Sequence, residues 1–131
     1  IGTGTGLLAI AGAKMGANPI LGLDIDSTAV EIAKENAKLN HVEDKVSFIE
    51  GDLVDSVTNN YDLVIANLLP HIILELIPDL IQILPDSSYF ILSGIIDDKL
   101  PEVKNKLAQY NLEIKEIVQK NEWVTIFGTR S

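Results

Sequence analysis

Apolar residues along the chain fall into two alternating kinds of block: short continuous runs, and longer stretches with helical spacing. Ile20-Leu21-Gly22-Leu23-Asp24-Ile25, Val46-Ser47-Phe48-Ile49-Glu50, Tyr61-Asp62-Leu63-Val64-Ile65-Ala66 and Tyr89-Phe90-Ile91-Leu92-Ser93 belong to the first kind. Continuous apolar runs of this length mark strands covered on both faces, as in a parallel sheet. Helical segments lie between them. Leu7 to Ala17 is alanine-rich and apolar all round, as a helix packed closely on a sheet would be. Asp26 or Ser27 caps a helix running to about Leu39, with Val30, Ala33 and Ala37 inward and Glu31, Lys34, Glu35 and Lys38 outward. Leu68 to Leu84 holds a helix that Pro70 starts and Pro78 is expected to kink or divide, because proline removes a backbone donor and restricts the residue before it. Leu100 to Tyr110 forms an amphipathic helix, and Leu112 to Val118 with Glu122 to Thr129 an antiparallel hairpin. Strands alternating with helices predict an α/β domain with a largely parallel sheet.

Composition narrows the function classes. The chain has 131 residues, 47% of them apolar, enough for one sizeable core and too apolar for disorder. No internal repeat and no Gly/Ser or Pro-rich linker is visible. Nineteen acidic against ten basic residues give a net charge of −9, which disfavours direct binding to nucleic acid or an anionic membrane surface. No cysteine is present, so disulfides and thiolate chemistry are excluded and a cytoplasmic location is expected. The apolar stretch Leu63 to Leu84 is interrupted by Asn67, Pro70, His71, Glu75, Pro78, Asp79 and Gln82, too polar for a bilayer span.

Three places carry candidate chemistry. Gly2-Thr3-Gly4-Thr5-Gly6 precedes a helix, a combination that lets a ligand approach backbone N–H groups, although an ordinary strand-to-helix turn has the same composition. The dinucleotide fingerprint would require a third glycine where Leu7 stands, and no Gly-Lys-Ser/Thr follows as a phosphate loop would need. Asp24, 22 residues beyond Gly2 at a strand end, suits a carboxylate that accepts from both hydroxyls of a ribose, with helix capping as its plainer alternative. Asp52 follows Gly51 after the next strand, placed to accept from an adenine amino group or to make an Asx turn. Asn67, at the end of a predicted central strand, is either a site residue or a turn or cap residue. His41 and His71 are too isolated to argue a metal site, and Trp123 reads as a core or rim residue.

Taken in order, Gly2-Thr3-Gly4-Thr5-Gly6, Leu23-Asp24-Ile25-Asp26, Gly51-Asp52 and Asn67-Leu68-Leu69 resemble the successive motifs of class I S-adenosylmethionine-dependent methyltransferases. More narrowly, the chain is similar to the bacterial enzymes that methylate ribosomal protein L11. That similarity rests also on Leu7-Leu8-Ala9-Ile10-Ala11, Glu35-Asn36-Ala37, Leu92-Ser93-Gly94-Ile95 and Glu122-Trp123-Val124. It implies a Rossmann-like fold with a mostly parallel seven-stranded sheet whose last strand is antiparallel. It implies S-adenosylmethionine as cofactor, ribosomal protein L11 as methyl acceptor through lysine and N-terminal amines, and a monomeric enzyme. The residues by themselves also fit a class I methyltransferase for another protein or a small molecule, or a non-catalytic nucleotide-binding α/β domain. Carried over by position, Gly2, Thr3 and Gly4 line the cofactor's methionine end, Asp24 with Ile25 holds the ribose, and Asp52 lies near the adenine. Asn67 completes the cofactor pocket and is the catalytic residue facing the acceptor. Related amine-directed enzymes have an Asn-Pro-Pro-Tyr-like segment there, whereas this chain reads Asn67-Leu68-Leu69-Pro70, without the aromatic wall.

The first residue is Ile1, and the glycine run follows with no strand to feed it. Residues 1–131 are therefore expected to be a cofactor-binding catalytic domain truncated at its start. Its first strand, an acidic motif residue and a small recognition domain are expected upstream. A sheet lacking that strand would leave backbone edges unpaired, so this segment by itself is expected to fold poorly.

Overall fold

A computed structural model describes all residues from Ile1 to Ser131. The chain forms two compact units, Ile1–Ser56 and Val57–Ser131.

The first unit contains helix α1 (Leu7–Lys14), strand β1 (Ile20–Asp24), helix α2 (Ser27–Leu39) and strand β2 (Val46–Glu50). β1 and β2 pair in parallel, with Ile20 opposite Val46 and Asp24 opposite Glu50. Ile10 and Ala13 of α1, Val30, Ala33 and Ala37 of α2, and Phe48 of β2 are buried together as its core. The alanines are what allow the two helices to approach the strands closely. α1 stops at Lys14, short of the expected Ala17, because Gly16 turns left-handed at φ 103° and the chain closes back on the helix. Ala17 N–H donates to Gly12 C=O and Gly16 N–H to Ala13 C=O, the paired bonds of a Schellman motif. α2 ends the same way, with Val42 N–H on Ala37 C=O and His41 N–H on Lys38 C=O. There the left-handed position, φ 58°, falls on His41. At the other end Asp26 caps α2 by accepting from Thr28 N–H at 2.9 Å.

The second unit contains strand β3 (Leu63–Asn67), helix α3 (Pro70–Ile83), strand β4 (Tyr89–Ile96), a 3-10 turn at Asp97–Lys99, helix α4 (Leu100–Gln109) and strands β5 (Leu112–Lys120) and β6 (Trp123–Arg130). Its sheet has the order β3-β4-β6-β5. β3 and β4 are parallel, while β6 runs antiparallel to both β4 and β5. The antiparallel last strand thus forms as expected. The strands make a parallel pair and a four-stranded sheet, six strands in all, at the six segments that the apolar runs and the terminal hairpin predicted.

Pro78 does not divide α3 into separate helices; the helix continues from Pro70 to Ile83. Ile73, Leu76, Ile77 and Leu80 are all fully buried, so packing on both sides of the proline outweighs the one lost hydrogen bond. β4 likewise runs past Gly94, where the sequence suggested it would close, and absorbs that glycine as a bulge: Leu92 faces Ile126 and Ile95 faces Val124. Arg130 at the end of β6 donates through Nη1 to the carbonyls of Ile81 and Leu84, satisfying the C-terminus of α3. No helix is long and apolar enough to cross a membrane.

Candidate functional site

In the first unit the carboxyl ends of β1 and β2 gather six of the candidate residues: Gly2, Thr3, Gly4, Asp24, Ile25 and Asp52. Thr3 N–H donates to Leu23 C=O at 2.7 Å, tying the glycine turn to the carboxyl end of β1. Gly4 N–H then donates to Oδ2 of Asp24 at 2.9 Å. Oδ1 of the same carboxylate accepts from Asp26 N–H at 3.0 Å. Each carboxylate oxygen has about two acceptor positions. With one backbone donor on each, Asp24 is held rigidly and still has one acceptor position per oxygen for two ligand hydroxyls. The capping alternative for Asp24 is not what forms, since Asp26 caps α2.

Gly4 has φ +54°, and a Cβ on it would meet no heavy atom within 4 Å, so the turn faces open space there. Asn36 of α2 donates through Nδ2 to Thr5 C=O at 2.8 Å and pins the turn from the other side. Sequence reasoning treated Asn36 as part of a motif and gave it no role. Its place one turn after buried Ala33 and beside buried Ala37, on the inward stripe of α2, is the signal that points to it. The first turn of α1 has no side-chain cap, leaving N–H groups at its N-terminus unpaired with side chains.

Ile25 is 67% exposed beside Asp24, an apolar surface next to a fixed carboxylate. Gly51 N–H donates to Asp24 C=O at 2.9 Å, which brings the Gly51-Asp52 turn against the end of β1. That turn is closed by backbone, Asp55 N–H on Asp52 C=O at 3.1 Å. The Asp52 side chain makes no Asx turn; its carboxylate is exposed and unengaged. Ligand placement at the carboxyl ends of parallel strands is the general rule for open α/β sheets.

In the second unit Asn67 ends β3, opposite Ser93 of β4, with an exposed side chain. It does not cap α3, whose N-cap position is Leu69 and has no side-chain bond. Leu68 N–H donates to Ser93 C=O at 3.2 Å. A Cβ placed on Gly94 would stand 2.8 Å from Oδ1 of Asn67 and 2.5 Å from the backbone oxygen of Leu68. Those two acceptor oxygens are therefore neighbours around Gly94. His71 lies exposed in the first turn of α3, and Trp123 is 51% exposed at the start of β6, a rim position.

Comparison with known proteins bears on this arrangement. A family model described as ribosomal protein L11 methyltransferase (PrmA) matches residues 1–131. A ribosomal protein L11 methyltransferase of Staphylococcus haemolyticus is 42% identical over 130 residues, 99% of this chain and 42% of that protein. The chain thus spans well under half the length of the curated relatives it matches. The crystal structure of a ribosomal protein L11 methylase from Lactobacillus delbrueckii subsp. bulgaricus superposes with a TM-score of 0.96 at 35% identity, covering 99% of this chain and 67% of that one. An RNA methyltransferase from Salinibacter ruber, solved in complex with S-adenosyl-L-homocysteine, gives a TM-score of 0.78 at 25% identity over 98% of this chain and 76% of that one. The α/β Rossmann-like fold of class I methyltransferases is thereby established for this chain. With its whole length matched and its motifs in order, the chain belongs to the ribosomal protein L11 methyltransferase family.

Proposed function

We propose that this chain is the catalytic part of an S-adenosylmethionine-dependent protein N-methyltransferase whose acceptor is ribosomal protein L11, at lysine and N-terminal amines. Residues 1–131 act as one cofactor-binding catalytic domain of a monomeric, cytoplasmic enzyme. The observation that carries the reading is the bond from Gly4 N–H to the Asp24 carboxylate, which fixes a ribose acceptor against a glycine turn that faces open space. The donor set suits this cofactor: fixed and free carboxylates at Asp24 and Asp52, backbone N–H groups at the turn and an apolar wall at Ile25. A cationic sulfonium is also favoured by carboxylates nearby.

Asp24 accepts the ribose hydroxyls, Asp52 lies beside the adenine amino group, and Gly2, Thr3 and Gly4 line the methionine end. Asn67 Oδ1 and Leu68 C=O accept N–H bonds from a neutral amine and aim its lone pair. When bound, the cofactor supplies a sulfonium methyl group, which the amine nitrogen takes as the sulfur–carbon bond breaks, sulfur keeping that electron pair and solvent receiving a proton. No side chain of the site is needed as a general base, so proximity and orientation carry the acceleration. The −9 net charge argues against RNA as the acceptor.

Mass spectrometry of ribosomal protein L11 incubated with the protein and S-adenosylmethionine tests this. Mass increments of one methyl group or its multiples on amines are expected. An unmodified L11 beside a methylated small molecule, or tight binding of a dinucleotide in place of S-adenosylmethionine, would overturn it.

A further inference from the structure

Gly94 sits in β4 at the point where its register with β6 slips, so that Ser93 and Gly94 together oppose Thr125. It takes a left-handed φ of +83°. Ser93 is held on both sides of the slip, its Oγ 2.9 Å from Thr125 Oγ1 and its backbone oxygen accepting from Leu68 N–H. The bulge is therefore anchored to β6 on one side and to the Asn67-Leu68 segment on the other. A side chain on Gly94 would collide with three atoms of that segment: Leu68 O at 2.5 Å, Asn67 Oδ1 at 2.8 Å and Leu68 C at 3.2 Å. Bulges bend a strand locally and re-aim the groups beside it. Here the groups beside it are two acceptor oxygens with no hydrogen bond of their own.

We propose that Gly94 is a positioning residue for the methyl acceptor: its bulge and its missing side chain hold Asn67 Oδ1 and Leu68 O in one converging pair. This rests on reading Asn67 and Leu68 as the pair that receives the acceptor amine. A Cβ at this position meets Leu68 and Asn67 and displaces one or both oxygens. The effect falls on the orientation of the amine and spares cofactor binding, and displacement by about 1 Å is enough to cost about 100-fold in rate.

The test compares Gly94→Ala, Asn67→Ala and their double variant with Gly16→Ala. Gly16 has φ +103° and open space around an added Cβ, so its variant carries the backbone strain without the collision. Gly94→Ala is expected to bind S-adenosylmethionine within about threefold of wild type, to lose about 100-fold in kcat for L11 methylation, and to shift the Asn67 side-chain amide resonance. Gly16→Ala keeps both kcat and that resonance. The double variant loses less than the product of the two single losses, because both substitutions act on one acceptor pair. If the alanine variant does not fold, Gly94→Asn carries the same test, since asparagine tolerates left-handed φ. Wild-type kcat in Gly94→Ala with a damaged Asn67→Ala overturns the positioning role and leaves the proposed function standing. Full activity in both variants overturns the acceptor reading as well. Equal loss of kcat in Gly16→Ala assigns the effect to strain and rejects the proposal, as does an unmoved Asn67 resonance, whatever the activity.

Discussion

The backbone N–H of Gly4 and the carboxylate of Asp24, 20 residues apart in sequence, meet in a 2.9 Å hydrogen bond at the carboxyl end of β1. One contact joins the two motifs that the chain presents separately, and it does so with a charge-assisted bond that orders both. The turn cannot move without moving the carboxylate. A ribose received there, as proposed, would meet a preorganised acceptor, which lowers the ordering cost of binding.

The glycine turn is held from behind by Asn36, whose Nδ2 donates to Thr5 C=O. Asn36→Ala removes that bond and is expected to weaken S-adenosylmethionine binding by roughly tenfold, about the worth of one hydrogen bond to an otherwise mobile turn. Isothermal titration of the variant gives the ratio directly. An affinity equal to wild type would mean that the Thr3–Leu23 and Gly4–Asp24 bonds hold the turn without Asn36.

His41 occupies the left-handed position that ends α2, at φ 58°. His41→Gly relieves the strain of a side chain there and is expected to stabilise the fold by about 0.5–1 kcal/mol, partly offset by the freer unfolded chain. Urea denaturation with an unchanged m-value reads this out. A destabilised variant would show that the exposed imidazole makes contacts worth more than the strain.

Arg130 links β6 to the last turn of α3 through the carbonyls of Ile81 and Leu84, with its Nε 3.6 Å from Asp86 Oδ1. Arg130→Ala exposes those carbonyls and is expected to cost roughly 1–3 kcal/mol, lowering Tm by several degrees. Asp86→Ala is expected to cost little, because that carboxylate is 83% exposed. Equal losses from the two variants would place the stabilisation in the ion pair and not in the cap.

An attacking amine must be neutral. Without a general base in the site, methylation of an N-terminal amine is expected to rise about tenfold per pH unit up to about pH 8, where that amine loses its proton. For a lysine the rise continues to about pH 10. Rates of L11 methylation across this range check the sign and slope. A flat profile from pH 6 upward would require a group that takes the proton within the site.

The alternation of apolar runs and helical stretches made the order of elements legible from the sequence, and the glycine run and Asp24, singled out separately, are brought together by the Gly4–Asp24 bond. What the sequence hid was tertiary. Pro78 is a helix breaker by local rules, yet buried Ile73, Leu76, Ile77 and Leu80 keep α3 whole around it. Gly94 marks a strand end by local rules, yet pairing with β6 carries β4 through it as a bulge. Asn36 stands beside the inward alanines of α2, yet helical spacing alone does not say that Thr5 is what it holds. The early end of α1 was legible in principle, since Gly16 and Ala17 form a common helix stop.

The central claim is that Asp24, held by Gly4 N–H, receives the ribose of S-adenosylmethionine. Calorimetric titration of S-adenosylmethionine into the wild-type protein and Asp24→Ala tests it most directly, with circular dichroism confirming that both are folded. Loss of two hydroxyl bonds to a charged acceptor, worth roughly 3 kcal/mol, is expected to weaken binding about 100-fold or more. Equal affinity in the folded Asp24→Ala protein would contradict the account.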